Sequence, residues 1–174
     1  MRKQRGFSLI ELLIVVAIIL IIAAIAIPNM LRARIAANEA SAGQSVRAIV
    51  TGQIAYQAAY PTVGYSSTLL ALGPPAATGC SGIQPTAASA CVIDWVLANA
   101  TAVATAKSGY YFANTAFLSG GANSSFVVGG APSAANTTGV RGFCSTDEGV
   151  IRYSASAAVP VTTIAACAVY TSLQ

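Results

Sequence analysis

Leu12 to Ile27 are sixteen consecutive apolar residues, and reading on to Leu31 adds only Pro28 and Asn29 as interruptions. A helix from Phe7 to Leu31 is about 37 Å long at roughly 1.5 Å per residue, enough to cross a bilayer core of about 30 Å. Beyond Leu31 the pattern changes, with Arg32, Arg34, Asn38, Glu39, Gln44, Arg47, Gln53 and Gln57 interleaved among apolar positions. Val46, Val50, Ile54 and Ala58 recur every four residues with Ile49 beside them, which predicts a helix laid against a globular body. The helix is expected to run on continuously, weakened locally at Gly43 and Gly52 and stopped near Tyr60 by Pro61. The charged face around Arg32, Arg34 and Glu39 reads as solvated surface.

From Pro61 onward, turn formers and small residues alternate with short aromatic or β-branched runs. This predicts an α+β protein whose head, residues 61–174, is a small antiparallel sheet rather than repeated βαβ units. Strands are expected at Gly109 to Ala113, Ser125 to Gly129, Val140 to Ser145 and Val150 to Ser154. Turn material lies at Ser119 to Ser124, Ala131 to Thr138 and Thr146 to Gly149. The last of these makes a hairpin of Arg141–Cys144 and Val150–Tyr153. Tyr65 to Leu72 reads as a helical turn, and Asp94 to Ala106 as helix or loop.

Only 8% of the 174 residues are charged while 55% are apolar, a balance foreign to an ordinary soluble enzyme. The net charge of +4 is concentrated in Arg2, Lys3 and Arg5. The rest of the chain holds six basic against five acidic side chains, so it offers no footprint for nucleic acid. The basic cluster before the apolar run places the N-terminus in the cytoplasm and the remainder outside, by the positive-inside bias.

Histidine is absent, which removes the commonest general base and metal ligand and every Ser-His or Cys-His arrangement. The four cysteines, Cys80, Cys91, Cys144 and Cys167, contain no C-x-x-C pair and read as two disulfides in an oxidising compartment. Asp147 and Glu148 are adjacent, so in a strand they point to opposite sides; they belong to a hairpin tip. No catalytic residue, metal site or cofactor is indicated, and the chain is read as not an enzyme.

An ordinary secretory signal peptide shares the basic start and the apolar run. Three details separate this segment from one. Pro28 to Arg34 contain no A-x-A step, and the apolar run exceeds the usual h-region of about 7 to 15 residues. Glu11 also sits at its front edge, where an unpaired carboxylate in lipid costs on the order of a few kcal/mol.

Gly6-Phe7-Ser8-Leu9-Ile10-Glu11, preceded by Lys3-Gln4-Arg5 and followed by Leu12-Leu13-Ile14-Val15-Val16-Ala17, closely resembles the leader and N-terminal helix of type IV prepilins, in the manner of type IVa major subunits. The resemblance implies a leader at 1–6, a transmembrane and filament-core helix at 7–31, and an amphipathic continuation at 32–60. It further implies cleavage between Gly6 and Phe7 by a membrane peptidase that also methylates the new Phe7 amine. Glu11 would pair with the terminal ammonium of a neighbouring subunit, each group relieving the other's desolvation. Pro28 matches the family's helix-weakening proline, which removes a backbone donor. The implied partners are other copies in a helical homopolymer, the processing peptidase, and an inner-membrane assembly platform driven by a separate ATPase. The subunit is held in the inner membrane before assembly and stands outside the cell afterwards. Adhesion, surface motility and DNA uptake are activities of related filaments. Helix-core aromatics are absent between Phe7 and Tyr56, so an electron-conducting fibre gains little support.

Four cysteines allow three connectivities. Sequential pairing is favoured, because Cys80–Cys91 closes a Gly/Pro-rich loop and Cys144–Cys167 ties the C-terminal segment to the sheet; many pilins resemble this second closure. Two other functions stay open. A pseudopilin of type II secretion shares the N-terminus, though it commonly carries an acidic calcium loop that is not evident here. A monomeric membrane-anchored binding protein would need neither Gly6-Phe7 nor Glu11. Triplets of the form N-x-(S/T) at Asn99, Asn123 and Asn136 are too frequent by chance to assign a glycan.

Overall fold

The computed structural model describes residues 7–173; the expected leader at 1–6, with Gly6, lies outside the described residues. The chain divides into a unit ending at Arg34 and a second unit beginning at Ile35. One helix, α1 (Leu9–Ala59), contributes to both.

In the first unit almost every side chain of α1 faces outward. None of its most apolar stretch of eighteen residues is buried, and helix geometry continues through Pro28. That proline has no N–H to give the carbonyl of Ala24, so one rung of the helical ladder is missing there.

In the second unit α1 buries Ala42, Ser45, Val46, Ile49, Val50, Gly52, Gln53 and Tyr56. The expected stripe is therefore corrected at its C-terminal end, since Ile54 is 54% exposed and Ala58 is also exposed. A strict step of four advances about 40° beyond a full turn each time, so by Ala58 the row has rotated off the packed face. Steps alternating between three and four keep to it. The helix ends at Ala59, just before Pro61.

After α1 come a 3₁₀ turn at Leu70–Leu72, the short helix α2 (Trp95–Asn99) and a 3₁₀ turn at Val103–Thr105. The Asp94 carboxylate caps α2 by accepting the Leu97 N–H at 2.9 Å. Five strands then form an antiparallel meander in chain order: β1 (Tyr110–Ser119), β2 (Ala122–Pro132), β3 (Gly142–Thr146), β4 (Arg152–Ser154) and β5 (Thr171–Ser172). A helix, α3 (Ile164–Ala168), precedes β5, with the Thr163 hydroxyl accepting the Ala166 N–H at 3.3 Å.

The first hairpin is longer than its sequence pattern suggested. Gly120 and Gly121 alone make the turn, both at positive φ (64° and 93°), as a tight primed turn requires, and β2 runs on to Pro132. Val140 and Arg141 are not in β3, because their N–H groups go to a side chain of α1. The β3–β4 hairpin pairs Phe143 with Tyr153 and Cys144 with Arg152.

Strand alternation gives this sheet two covered faces. Tyr110, Phe112, Phe126, Val128, Phe143 and Ile151 join the core that includes Val46 and Ile49 of α1. Val127 and Cys144 point the other way, into a smaller cluster with Val161 and Cys167. The C-terminal segment thus forms the back cover of the sheet.

Candidate functional site

The N-terminal segment carries the chemistry the sequence singled out. Phe7 is 83% exposed and precedes the first residue of α1 by two positions. The first N–H groups of a helix lack intrahelical acceptors, and here the Glu11 carboxylate reaches back to take the Ser8 N–H at 2.9 Å. Ser8 and Glu11 have the spacing of a capping box, a local role that the sequence reading overlooked although Ser-x-x-Glu is legible in it. A carboxylate in the first turn is also favoured by the helix dipole. Among the described residues Glu11 has no cationic partner.

Behind Glu11 the run from Leu12 to Leu31 presents large aliphatic side chains on all sides, from Leu12 at 60% exposure to Ile25 at 65%. A surface of this kind is unstable in water and calls for lipid or for other apolar helices. Ala17, Ala23, Ala24 and Ala26 are small enough to let neighbouring helices approach closely.

In the head, Cys80 is bonded to Cys91 and Cys144 to Cys167, with Cα separations of 6.1 and 5.8 Å. The first closes the loop that follows the Leu70–Leu72 turn. That loop is also held to α1 by the Tyr56 hydroxyl, which donates to the Ala87 carbonyl at 2.7 Å. The second anchors α3 against the back of β3.

Glu39 corrects the expectation of a solvated face. It is 5% exposed, while Arg32 and Arg34 are exposed. One carboxylate oxygen accepts the N–H groups of Val140 at 2.9 Å and Arg141 at 3.0 Å, and the other accepts Arg141 Nε at 2.6 Å. Asn38 Nδ2 donates to the Thr138 carbonyl at 2.8 Å, so two successive α1 residues hold the β2–β3 connection. Burial pushes the Glu39 carboxyl up, but the two backbone donors and the Arg141 guanidinium outweigh it and hold the group below its ordinary value. Burial, aided by the Glu39 charge, pushes the nearby Tyr110 phenol well up, and its hydroxyl donates to the Arg141 carbonyl at 2.7 Å. Sequence reasoning missed this clamp because its partner lies 102 residues away.

Gln53 forms a second buried polar node. Its amide nitrogen donates to the Ser66 carbonyl at 2.9 Å and to Asn114 Oδ1 at 2.7 Å, and its amide oxygen accepts the Ser66 N–H at 2.8 Å. Both nodes join the helix to the sheet. Among the described residues no group of acidic, histidine and cysteine side chains has the makings of a metal site.

A single long helix with an outward-facing apolar beginning, backed by a disulfide-bonded antiparallel sheet, is the α+β architecture of membrane-inserted filament subunits. Residues 1–27 match the family model described as the prokaryotic N-terminal methylation motif. The chain is 41% identical over 101 residues to the type IV wide pilus major component PilA4 of Thermus thermophilus, covering 53% of this chain and 74% of that protein. It is 49% identical over 51 residues to the type IV major pilin protein PilA of Myxococcus xanthus, covering 29% of this chain and 23% of that protein. No solved structure matches. The chain belongs to the type IV pilin family.

Proposed function

We propose that this chain is a structural subunit of a type IV pilus, made as a membrane-held precursor and assembled into an extracellular helical homopolymer. The observation that carries the reading is the exposed apolar helix with a single carboxylate, Glu11, at its front edge. Such a helix is satisfied by lipid before assembly and by copies of itself afterwards. Small residues permit close helix packing, and heterologous contacts that do not close generate filaments.

In this reading a membrane peptidase cuts between Gly6 and Phe7 and methylates Phe7. The new ammonium lies near the start of α1, and Glu11 exchanges its bond to the Ser8 N–H for a pair with the ammonium of a neighbouring subunit. Two buried opposite charges remove each other's desolvation cost, so this pairing selects one register among apolar helices that otherwise slide. Pro28 weakens the ladder where the apolar segment gives way to the amphipathic one, leaving a place for local adjustment during assembly. An inner-membrane platform with its own ATPase supplies the work of extraction, and the N-terminus faces the cytoplasm before it.

Both relatives are named as major pilus subunits, which favours a pilus over a secretion pseudopilin. The role is structural rather than catalytic. Intact-mass and N-terminal analysis of filaments sheared from cells that make the protein tests the reading. The expected chain begins with N-methylated Phe7; a chain recovered only from membranes, starting at Met1 or beyond Ile27, overturns it.

A further inference from the structure

The head leaves an unbalanced set of exposed charges. Among the described residues, Glu39, Asp94 and Glu148 each hold a cation, namely Arg141 at 2.6 Å, Lys107 at 3.9 Å and Arg152 at 3.1 Å. Glu11 takes a backbone N–H. Asp147 is then the one acid with neither an ion pair nor a hydrogen bond, and it is exposed in the β3–β4 turn. On the basic side Arg47 is exposed on α1, without an acidic partner among the described residues.

Arg47 sits where two grooves meet. One, of about 290 Å³, runs between α1 and the base of the β3–β4 hairpin, with Ala40, Gly43, Phe143 and Ile151 in its walls. The other, of about 410 Å³, continues along α1 past Ala48, Gly52 and Ala55. Gln44 and Arg47 line both. Arg141, the other cation in the first groove, is already neutralised by Glu39. The shared depression is therefore shallow, walled by small and apolar groups, and carries one positive charge, that of Arg47, which no described residue compensates.

We propose that this depression receives the β3–β4 turn of a second copy of the chain, with Asp147 of that copy paired to Arg47. The proposal rests on the filament reading above. Within one chain Arg47 and Asp147 are not paired. Asp147 lies four residues beyond Phe143 and four before Ile151 in sequence, so the turn reaches at most about 13 Å beyond the groove wall at roughly 3.3 Å per residue. The turn is narrow, tightened by Gly149 at φ +75°, and its Gly149 N–H is bonded back to the Thr146 carbonyl at 2.9 Å. It is thus a preformed, acidic projection. The groove on α1 and the turn are different patches, so each copy still has one of each to offer, and the contact is head-to-tail, as a filament requires.

Charge reversal in the full-length protein tests this. R47E and D147R singly place like charges opposite each other at every repeat of the filament, so sheared filament yield is expected to fall by about tenfold or more. The double variant R47E/D147R restores the pair and is expected to return yield close to the parent level. The membrane pool of processed subunit reports folding and cleavage of each variant independently. In filaments of the R47C/D147C variant, a short bismaleimide crosslinker is expected to join subunits through these two positions. Single variants that assemble like the parent, a double variant that stays defective, or crosslinking absent from its filaments overturns the proposal. Absence of filaments from the parent chain itself instead overturns the pilus reading on which it rests.

Discussion

Glu11 and Glu39 lie on the same helix, and what each carboxylate can reach separates their roles. Glu11 stands at the start of an apolar segment and, among the described residues, reaches only the Ser8 N–H. Its replacement by Ala removes about 1 kcal/mol of capping, too little to unfold a helix of 51 residues, but it removes the register charge altogether. Glu11→Ala is therefore expected to leave processing at Phe7 intact while abolishing filaments, as scored by N-terminal sequencing of the membrane fraction against sheared material; normal filaments would show that the charge has no assembly role. Glu39 is satisfied within its own chain by three donors. Because its folded-state affinity for protons lies below the ordinary value of 4.5, the unfolded chain takes up a proton first as the pH falls. The stabilisation is complete above that ordinary value and is lost as acidification passes through it toward the folded value. The melting temperature of the parent should therefore drop more steeply below about pH 4.5 than that of Glu39→Gln, which has no carboxylate to titrate. Glu39→Ala strands two backbone donors and should cost on the order of 3 kcal/mol at neutral pH, read from chemical denaturation.

At the scale of elements, the sheet depends on close approach from both sides, and adjacent glycines in β2 provide it. A Cβ at Gly130 would meet the Phe112 ring at 2.8 Å, on the α1 side. One at Gly129 would meet the backbone of Val161, on the side covered by the C-terminal segment. Backbone yields less than a side chain, so Gly129→Ala is expected to destabilise more than Gly130→Ala, with overpacking costs of about 1–3 kcal/mol, measured by urea denaturation of the two variants. The Cys144–Cys167 bond spans 23 residues. Its removal by paired Ser substitutions should cost about 3 kcal/mol and loosen α3 and β5 first, visible as faster amide exchange there than in β1. The sequence made the long helix, its apolar and amphipathic halves, the α+β class and the β3–β4 hairpin legible, since each rests on a local period or a turn signal. It left α3 and β5 unseen, because five and two residues are too short to display a period. The burial of Glu39 and Gln53 was equally hidden. A polar residue on a helix looks solvated until a distant loop supplies its donors, and only the fold brings 140–141 and Asn114 to them. In the candidate site, Glu11 was visible as a charge at the edge of an apolar run and Phe7 only through the resemblance of Gly6 to Glu11 to prepilins, whereas the groove at Arg47 arises from packing between segments about a hundred residues apart and has no local signature.

On the scale of the whole molecule, the two units answer to different solvents. The unit beginning at Ile35 has its own core, two polar nodes that satisfy their buried groups, and both disulfides. Every buried side-chain nitrogen and oxygen among the described residues has a hydrogen-bond partner, as an independently stable body requires. Before Arg34, the described residues place their apolar side chains outward, where water penalises them at roughly 25 cal/mol per Å². Association should therefore reside in the first unit and folding in the second. A chain starting at Arg32 and exported to an oxidising compartment is expected to be soluble, to unfold in one cooperative transition, and to sediment as a monomer at micromolar concentration. The proposed Arg47–Asp147 contact is single and wet-edged, and it should not hold two heads together without the helices, because exposed ion pairs contribute only about 0–1 kcal/mol. Analytical ultracentrifugation decides the matter. A stable dimer or polymer of the truncated chain would move the assembly determinant from the apolar helix into the head, whereas a monomer that gains filaments only when residues 7–31 are restored assigns it to the helix.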